Sequence, residues 1–310
     1  MPVISSRAVS DDASVWVIDD EPEGSVVVPR ERRRAHVGRR IFVVDTAGDA
    51  DDALRADTPG WVRAPPPRAA GGIVAMTLFH GDDRHLIAGW VRHCTAALGI
   101  AHFFFYCNDV VMPPDLPRLP NVSYVHYPYT YALGAQVAAN NDFLACVRAW
   151  REPPFIYYGD LDEFPYWSAR AAGGTCDDDC DVLTCLRADA AARGVTRWML
   201  LNCFVDLAPP LRAGDGVASA IAARRFVPDR RGYCRPLRRS KVIVAAGGAG
   251  VDVMWVHELR DAVTDASVRG DDLGALTGGR LRVMAPSEAG FWHVRNLVGR
   301  TRVTGEEHDW

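Results

Sequence analysis

The chain is 310 residues long, 48% hydrophobic and 24% charged, a balance that suits a globular protein with a sizeable core and excludes wholesale disorder. Its 35 basic residues against 39 acidic ones leave a formal charge of −4, which excludes a general nucleic-acid coat, because phosphate binding needs a net basic face. No run of about 18 apolar residues occurs, so no membrane span is expected. The segment Met1–Trp16 lacks the basic-then-apolar order of a secretory leader, and the expected location is cytoplasmic. One oddity stands out: Lys241 is the single lysine among the 35 basic residues.

Residues 1–70 read as a β-rich extension with a linker, and residues 71–310 as the main domain. In the extension, short apolar runs at Ser14–Ile18, Ser25–Val28 and Arg40–Val44 are broken by acidic and Gly/Pro turns. The basic run Arg30–Arg34, followed by Arg39 and Arg40, reads as a solvated loop. The Pro- and Gly-rich stretch Ala64–Gly72 reads as the linker. Strands and helices then alternate. Gly72–Leu78 is a buried-type strand. Arg84–Leu98 is an amphipathic helix with apolar residues recurring at three or four, stopped by Gly99. His102–Tyr106 and Val122–His126 are strands, Ala135–Trp150 a helix ended by Pro153 and Pro154, Phe155–Gly159 a further strand, and Thr196–Cys203 a later one. This alternation predicts an α/β fold with a parallel or mixed sheet flanked by helices. Ligands in such sheets bind beyond the carboxyl ends of the strands. Cys176, Cys180 and Cys185 lie among four aspartates. They read as reduced cysteines in an acidic loop rather than a zinc or disulfide clip, since zinc sites usually present paired Cys-x2-Cys elements.

The most informative stretch is Phe155-Ile156-Tyr157-Tyr158-Gly159-Asp160-Leu161-Asp162-Glu163-Phe164, where a buried apolar run ends in three carboxylates. Asp160 and Asp162 are two apart and share a face on an extended backbone. Two like charges beside a core need a cation between them. Mn²⁺ or Mg²⁺ takes carboxylate oxygens and readily adds phosphate oxygens, so the pattern suggests a metal–diphosphate site. Glu163 is expected to face away and fix the loop.

Four separated stretches resemble one family. Ala75–Asp83 with Trp90-Val91-Arg92-His93 and Leu98–Tyr106, then Gln136 through Asn141-Asp142-Phe143-Leu144-Ala145-Cys146 with Gly159–Phe164, then Ser240-Lys241-Val242-Ile243-Val244 with Val256-His257, and finally Phe291-Trp292-His293-Val294-Arg295-Asn296 are similar, in family order, to glycosyltransferase family 92, the galactan-synthase-like enzymes. The resemblance spans about residues 72–298. It implies a GT-A fold and metal-dependent transfer of a sugar from a nucleotide-sugar donor to a carbohydrate or glycoconjugate hydroxyl, with UDP-galactose as the default donor and inversion as the outcome. The chain departs from the family at Gly81-Asp82-Asp83, at Gly89 and at Cys107 with Asn108-Asp109, so base and sugar preference differ in expectation.

On this reading Asp160 contacts the ribose or sugar of the donor and shares the metal with Asp162, with His293 or His257 as a further ligand. An imidazole ligand favours Mn²⁺ over Mg²⁺. Asn141, Asp142, Asp82 and Asn108 are further donor-binding candidates, and Gln136 is a weaker one. Lys241, kept as Lys in an Arg-biased chain, is assigned to the leaving diphosphate as a compact point charge. The remaining bases of Arg224–Lys241 read mostly as a solvated loop. Asp206 and Glu258 are candidates for the general base that an inverting transfer needs. Tyr166, Trp167 and Phe204 are available to stack on an acceptor sugar, whereas Trp198 fills the core. Two other readings stand beside this one. One is a catalytically silent glycan- or nucleotide-binding module with the same fold. The other is a metal-dependent phosphoesterase, which would need a two-metal ligand set, whereas one compact acidic cluster is visible.

Overall fold

The computed structural model describes residues 3–10, 13–19, 41–44, 64–109, 111–127, 133–168, 180–207, 226–233, 240–248, 251, 253–254, 259–260 and 280–294. Strands β1 (Val3–Ser10) and β2 (Ala13–Asp19) pair antiparallel with each other. Strand β3 (Ile41–Val44) pairs antiparallel with β6 (Val122–His126), so part of the N-terminal stretch joins the main sheet as an edge strand. Ser25–Val28 and the basic run after it lie outside the described residues.

The main sheet starts at β4 (Ile73–Phe79) and β5 (His102–Cys107), which are parallel neighbours. Between them a 3-10 turn (Gly81–Leu86) leads into helix α1 (Ile87–Leu98). The sequence pattern places the helix start at Arg84. It starts later because the turn has its own partners: the Asp109 carboxylate accepts from the Gly81 N–H at 2.7 Å, and the Arg84 guanidinium reaches the Gly81 carbonyl and Asp115. Helix α1 ends at Gly99, whose φ of 67° is the left-handed cap that glycine supplies without strain. Helix α2 (Leu133–Arg148) follows β6, and β7 (Phe155–Tyr158) lies parallel to β4.

The second half of the sheet is mixed. It contains β8 (Glu163–Trp167), helix α3 (Val182–Arg193), β9 (Arg197–Leu207), β10 (Phe226–Tyr233), β11 (Lys241–Ala245), β14 (Leu281–Val283) and β15 (Ala289–Val294), while β12 (Val253–Met254) and β13 (Leu259–Arg260) pair only with each other. The main path runs β3-β6-β5-β4-β7-β11-β9-β15-β8, with β10 and β14 paired to β9 beside it. Strand β11 is antiparallel to both β7 and β9, and β9 is parallel to β15. The chain is therefore α/β with a mixed sheet, as its alternating pattern implies.

Alternation along the strands builds two cores. Ile73, Ala75, Phe103, Phe105, Tyr157 and Ile243 face α1 and α3, where Trp90, Cys94, Leu98 and Leu186 meet them. Val74, Met76, Phe104, Tyr106, Ile156 and Val244 face α2, against Ala139, Phe143 and Val147. Central strands buried on both faces read as continuous apolar runs, and the helices contribute apolar stripes at spacings of four. Each of the Val, Leu, Ile, Phe and Met side chains among them contributes about 1.5–3 kcal/mol on burial, so the sheet centre is held firmly under its strand ends. Among the described residues, no helix is long and apolar enough to cross a membrane.

Candidate functional site

The acidic turn sits at the carboxyl end of β7, where parallel strands of such a sheet present ligand sites. Packing below it sets its height. A Cβ at Gly159 would lie 2.6 Å from Cε1 of the fully buried Tyr157 ring, so only glycine lets the chain settle onto that ring before it turns. The backbone is then tied on both sides. The Trp90 indole N–H donates to the Glu163 carbonyl at 2.8 Å, and the Val294 N–H donates to the Asp162 carbonyl at 2.9 Å.

Glu163 is 1% exposed and turns inward. Its Oε2 accepts from the Asp160 backbone N–H at 2.9 Å, which fixes the loop as expected from the sequence, but the side chain turns into the cluster rather than away from it. It also meets Lys241. Because β11 runs opposite to β7 with Ile243 beside Tyr157, the first residue of β11 arrives level with the acidic turn. Lys241 Nζ lies 2.9 Å from Asp160 Oδ2 and 3.2 Å from Glu163 Oε2. Burial works against the ammonium charge, but Asp160 and Glu163 outweigh it and hold Lys241 above the ordinary lysine value. Glu163 is the yielding partner: burial pushes its carboxyl up, against the opposing pull of Lys241. The other oxygen of Asp160, Oδ1, accepts from Gln136 Nε2 of α2 at 3.0 Å. Asp160 is thus gripped from both faces of the sheet.

Asp162 has a different partner. Strand β15 carries His293 to the same edge, with Nε2 3.0 Å from Asp162 Oδ2. Burial disfavours charge on this imidazole, but Asp162, with Glu163 and Asp160 behind it, outweighs burial and holds His293 above the ordinary histidine value. Its Nδ1 lies 3.3 Å from Nδ2 of Asn202 on β9 and 3.9 Å from Glu163 Oε1. Three carboxylates and two basic side chains from three strands and the β7–β8 turn therefore meet at one strand edge, with α2 contributing Gln136.

The donor chemistry suits one hard divalent cation. A separation of 3.0 Å between Asp162 Oδ2 and His293 Nε2 matches two adjacent donors around an octahedral ion with bonds of about 2.1 Å. Among the described residues, no group of three or more His, Cys, Asp or Glu side chains is arranged to hold a metal by itself. Two protein donors completed by water and phosphate is how such ions are held at phosphate-transfer sites.

The other candidates fall in several places. Asp82 is exposed on the 3-10 turn, its N–H directed at His80 Nδ1. Asn108 is buried at the end of β5, and its Oδ1 has no hydrogen-bond partner among the described residues. These two flank the carboxyl ends of neighbouring strands. Asn141 and Asp142 are half-buried on α2, and Asp142 accepts from the Tyr106 hydroxyl at 3.2 Å. Asp206 is on β9, but its side chain and that of Phe204 lie outside what is described. His257, Glu258, Cys176, Arg295 and Asn296 lie outside the described residues. Cys180 is half-buried, and Cys185 is buried on α3, whose first turn is capped by the Asp181 carboxylate accepting from the Thr184 N–H. Tyr166 stacks on Trp292 with ring centroids 4.6 Å apart, and Trp198 is a fully buried core residue. Sequence reasoning missed Asn202. Its one signal is a polar residue inside the apolar run Trp198-Met199-Leu200-Leu201-Asn202-Cys203. No family model matches the chain, and no curated protein matches it.

Proposed function

We propose that the chain is a metal-dependent glycosyltransferase of GT-A type, moving a sugar from a nucleotide-sugar donor, by default a UDP-hexose, to a glycan hydroxyl. The observation that carries this reading is the meeting of Asp160, Asp162 and His293 at the carboxyl end of β7. These come from the stretches whose order resembles family 92. Asp162 and His293 would hold Mn²⁺ or Mg²⁺, which would supply neutralisation of charge on a departing nucleoside diphosphate. Asp160, held by Gln136 and Lys241, offers a fixed acceptor for a donor hydroxyl. Lys241 is 2% exposed behind Asp160, a position that favours action through Asp160 over direct contact with the diphosphate. Asp206 and Glu258 remain the candidates for general base.

A panel of nucleotide sugars incubated with the full chain, with and without Mn²⁺, tests this. Metal-dependent release of nucleoside diphosphate from one donor is the expected result, and no release from any donor with any glycan acceptor would refute it. The silent binding module has one observation in its favour, since Lys241 and His293 already counter the carboxylates within the chain. It is the better reading if a glycan or nucleotide binds without metal and every donor stays intact.

A further inference from the structure

Asn202 is fully buried at 0% exposure. A buried amide normally uses both ends, because an orphaned polar atom costs about 1–3 kcal/mol. Here Nδ2 sits 3.3 Å from His293 Nδ1, while Oδ1 has no hydrogen-bond partner among the described residues. Oδ1 and Nδ2 have nearly the same size, and which of them faces a neighbour follows from the hydrogen-bond pattern. Either can therefore occupy the place beside His293 without repacking the β9–β15 layer.

In the neutral ring the two arrangements place the imidazole proton on different nitrogens, whereas the imidazolium carries one on each. With Nδ2 donating to Nδ1, the ring proton is on Nε2 and is donated to Asp162 Oδ2, 3.0 Å away. With the amide reversed, Oδ1 accepts from Nδ1–H, and Nε2 turns a lone pair toward the Asp162 side. A metal ligand needs that second form, and the group bonded to the far ring nitrogen decides which form is present. Glu163 Oε1, at 3.9 Å from Nδ1, is beyond hydrogen-bond range and already engaged with Lys241 through its other oxygen.

We infer that Asn202 is the positioning residue of His293: its reversible amide lets the imidazole hydrogen-bond to Asp162 in one state and offer Nε2 to a divalent cation in the other, with no movement of the ring. This rests on the reading that Asp162 and His293 hold such a cation. Partners of this kind typically contribute 10- to 100-fold in metal affinity.

The test uses the full chain with ¹⁵N-labelled histidine, the His293 signals being identified by their loss in His293→Gln. At a pH where the ring is neutral, metal-free wild type is expected to carry the proton on Nε2, and Mg²⁺-saturated protein to carry it on Nδ1. In Asn202→Leu the metal-free preference for Nε2–H is expected to fall toward an even mixture, and Mn²⁺ affinity, read from the free-ion EPR signal, to fall 10- to 100-fold. Asn202→Asp retains an acceptor for Nδ1–H and is expected to stay within about threefold of wild type in Mn²⁺ affinity. Unchanged ring nitrogens between metal-free and Mg²⁺-loaded wild type, or wild-type Mn²⁺ affinity in folded Asn202→Leu, would overturn the inference. If wild type binds no Mn²⁺ at all, the metal reading fails. The metal-free comparison of wild type with Asn202→Leu then still decides whether Asn202 sets the proton position. If both variants fail to fold, the two wild-type spectra decide alone.

Discussion

Lys241 Nζ lies between two carboxylates, 2.9 Å from Asp160 and 3.2 Å from Glu163, and is itself 2% exposed. The acidic strand end therefore carries a cation of its own. A carboxylate pair beside a core calls for a positive charge, and the chain's single lysine answers part of that requirement. Asp162 and His293 make a second pair, 3.0 Å apart, and on the proposed reading a divalent ion would add there without displacing Lys241.

Removing the ammonium should therefore be costly. Lys241→Met removes the counter-charge of Glu163, a carboxyl that burial already pushes up to about 7, so the loss is expected to be about 3–5 kcal/mol above that pH and smaller below it, where Glu163 takes up a proton. Adding Glu163→Gln removes the stranded charge and is expected to recover at least about 1 kcal/mol relative to additivity. Urea denaturation of the four members of the cycle measures the coupling. Strictly additive losses would mean that the pair is not a unit.

A divalent ion that binds only the folded chain should raise its stability. At 100 times the dissociation constant the gain is about 2.7 kcal/mol, which corresponds to a rise in melting temperature on the order of 5 °C for a chain of this size. Wild type and Gln136→Ala are expected to show the Mn²⁺-dependent rise, because Gln136 touches Asp160 and neither member of the Asp162–His293 pair. Asp162→Asn and His293→Gln are expected to lose it. An equal rise in all four proteins would place the ion elsewhere.

The first half of the sheet was legible because its strands are buried on both faces and separated by helices, so β4, β5, β6 and β7 read as apolar runs of the right length. The acidic turn was legible for the same reason: three carboxylates at the end of such a run have no core role. The second half was less so. Strand β8 is five residues long, contains Pro165 and begins with two members of the acidic cluster's neighbourhood, Glu163 and Phe164, so it reads as a loop; proline is tolerated there because β8 ends the sheet path. Helix α3 is weakly amphipathic because Asp189 is among its buried residues, where the Trp198 indole N–H and the Arg282 guanidinium both donate to its Oδ2 and Arg193 lies 3.7 Å from its Oδ1. The partners of Lys241 and His293 depend on the antiparallel register of β11 with β7 and β9 and on the register of β15, parallel to β9 and antiparallel to β8, which no local pattern encodes. Asn202 shows the limit most clearly, since its meaning comes from a residue 91 positions away.

Gly159 offers a packing test of how the turn is held. Gly159→Ala places a methyl group 2.6 Å from the Tyr157 ring, and overpacking of a fixed core commonly costs about 1–3 kcal/mol. The ring is fully buried, with Trp90 stacked beside it at a centroid separation of 6.3 Å. In a Tyr157→Leu background the same substitution is expected to cost less than about 0.5 kcal/mol, as read from denaturation midpoints. An unchanged cost in that background would show that the Tyr157 ring does not set the height of the turn.

Acid stability provides a test away from the site. His102 on β5 is 7% exposed, and burial lowers its pKa from the ordinary 6.5 to about 4. Its Nε2 lies 2.9 Å from Ser123 Oγ, and its ring packs on Phe104. In the unfolded chain the imidazole takes a proton near pH 6.5, whereas in the folded chain it stays neutral until about pH 4. Between those values the unfolded state binds more protons, so folding stability falls as the pH falls. The full difference amounts to about 3 kcal/mol, all of it lost below pH 4 and none of it above about pH 7. His102→Gln removes this titration while keeping a polar group for Ser123. Urea midpoints measured from pH 7.5 to 4.5 should therefore fall more steeply for wild type than for His102→Gln, with the gap opening below pH 6.5. Parallel curves through that range would mean that His102 charges in the folded protein as readily as in the unfolded chain.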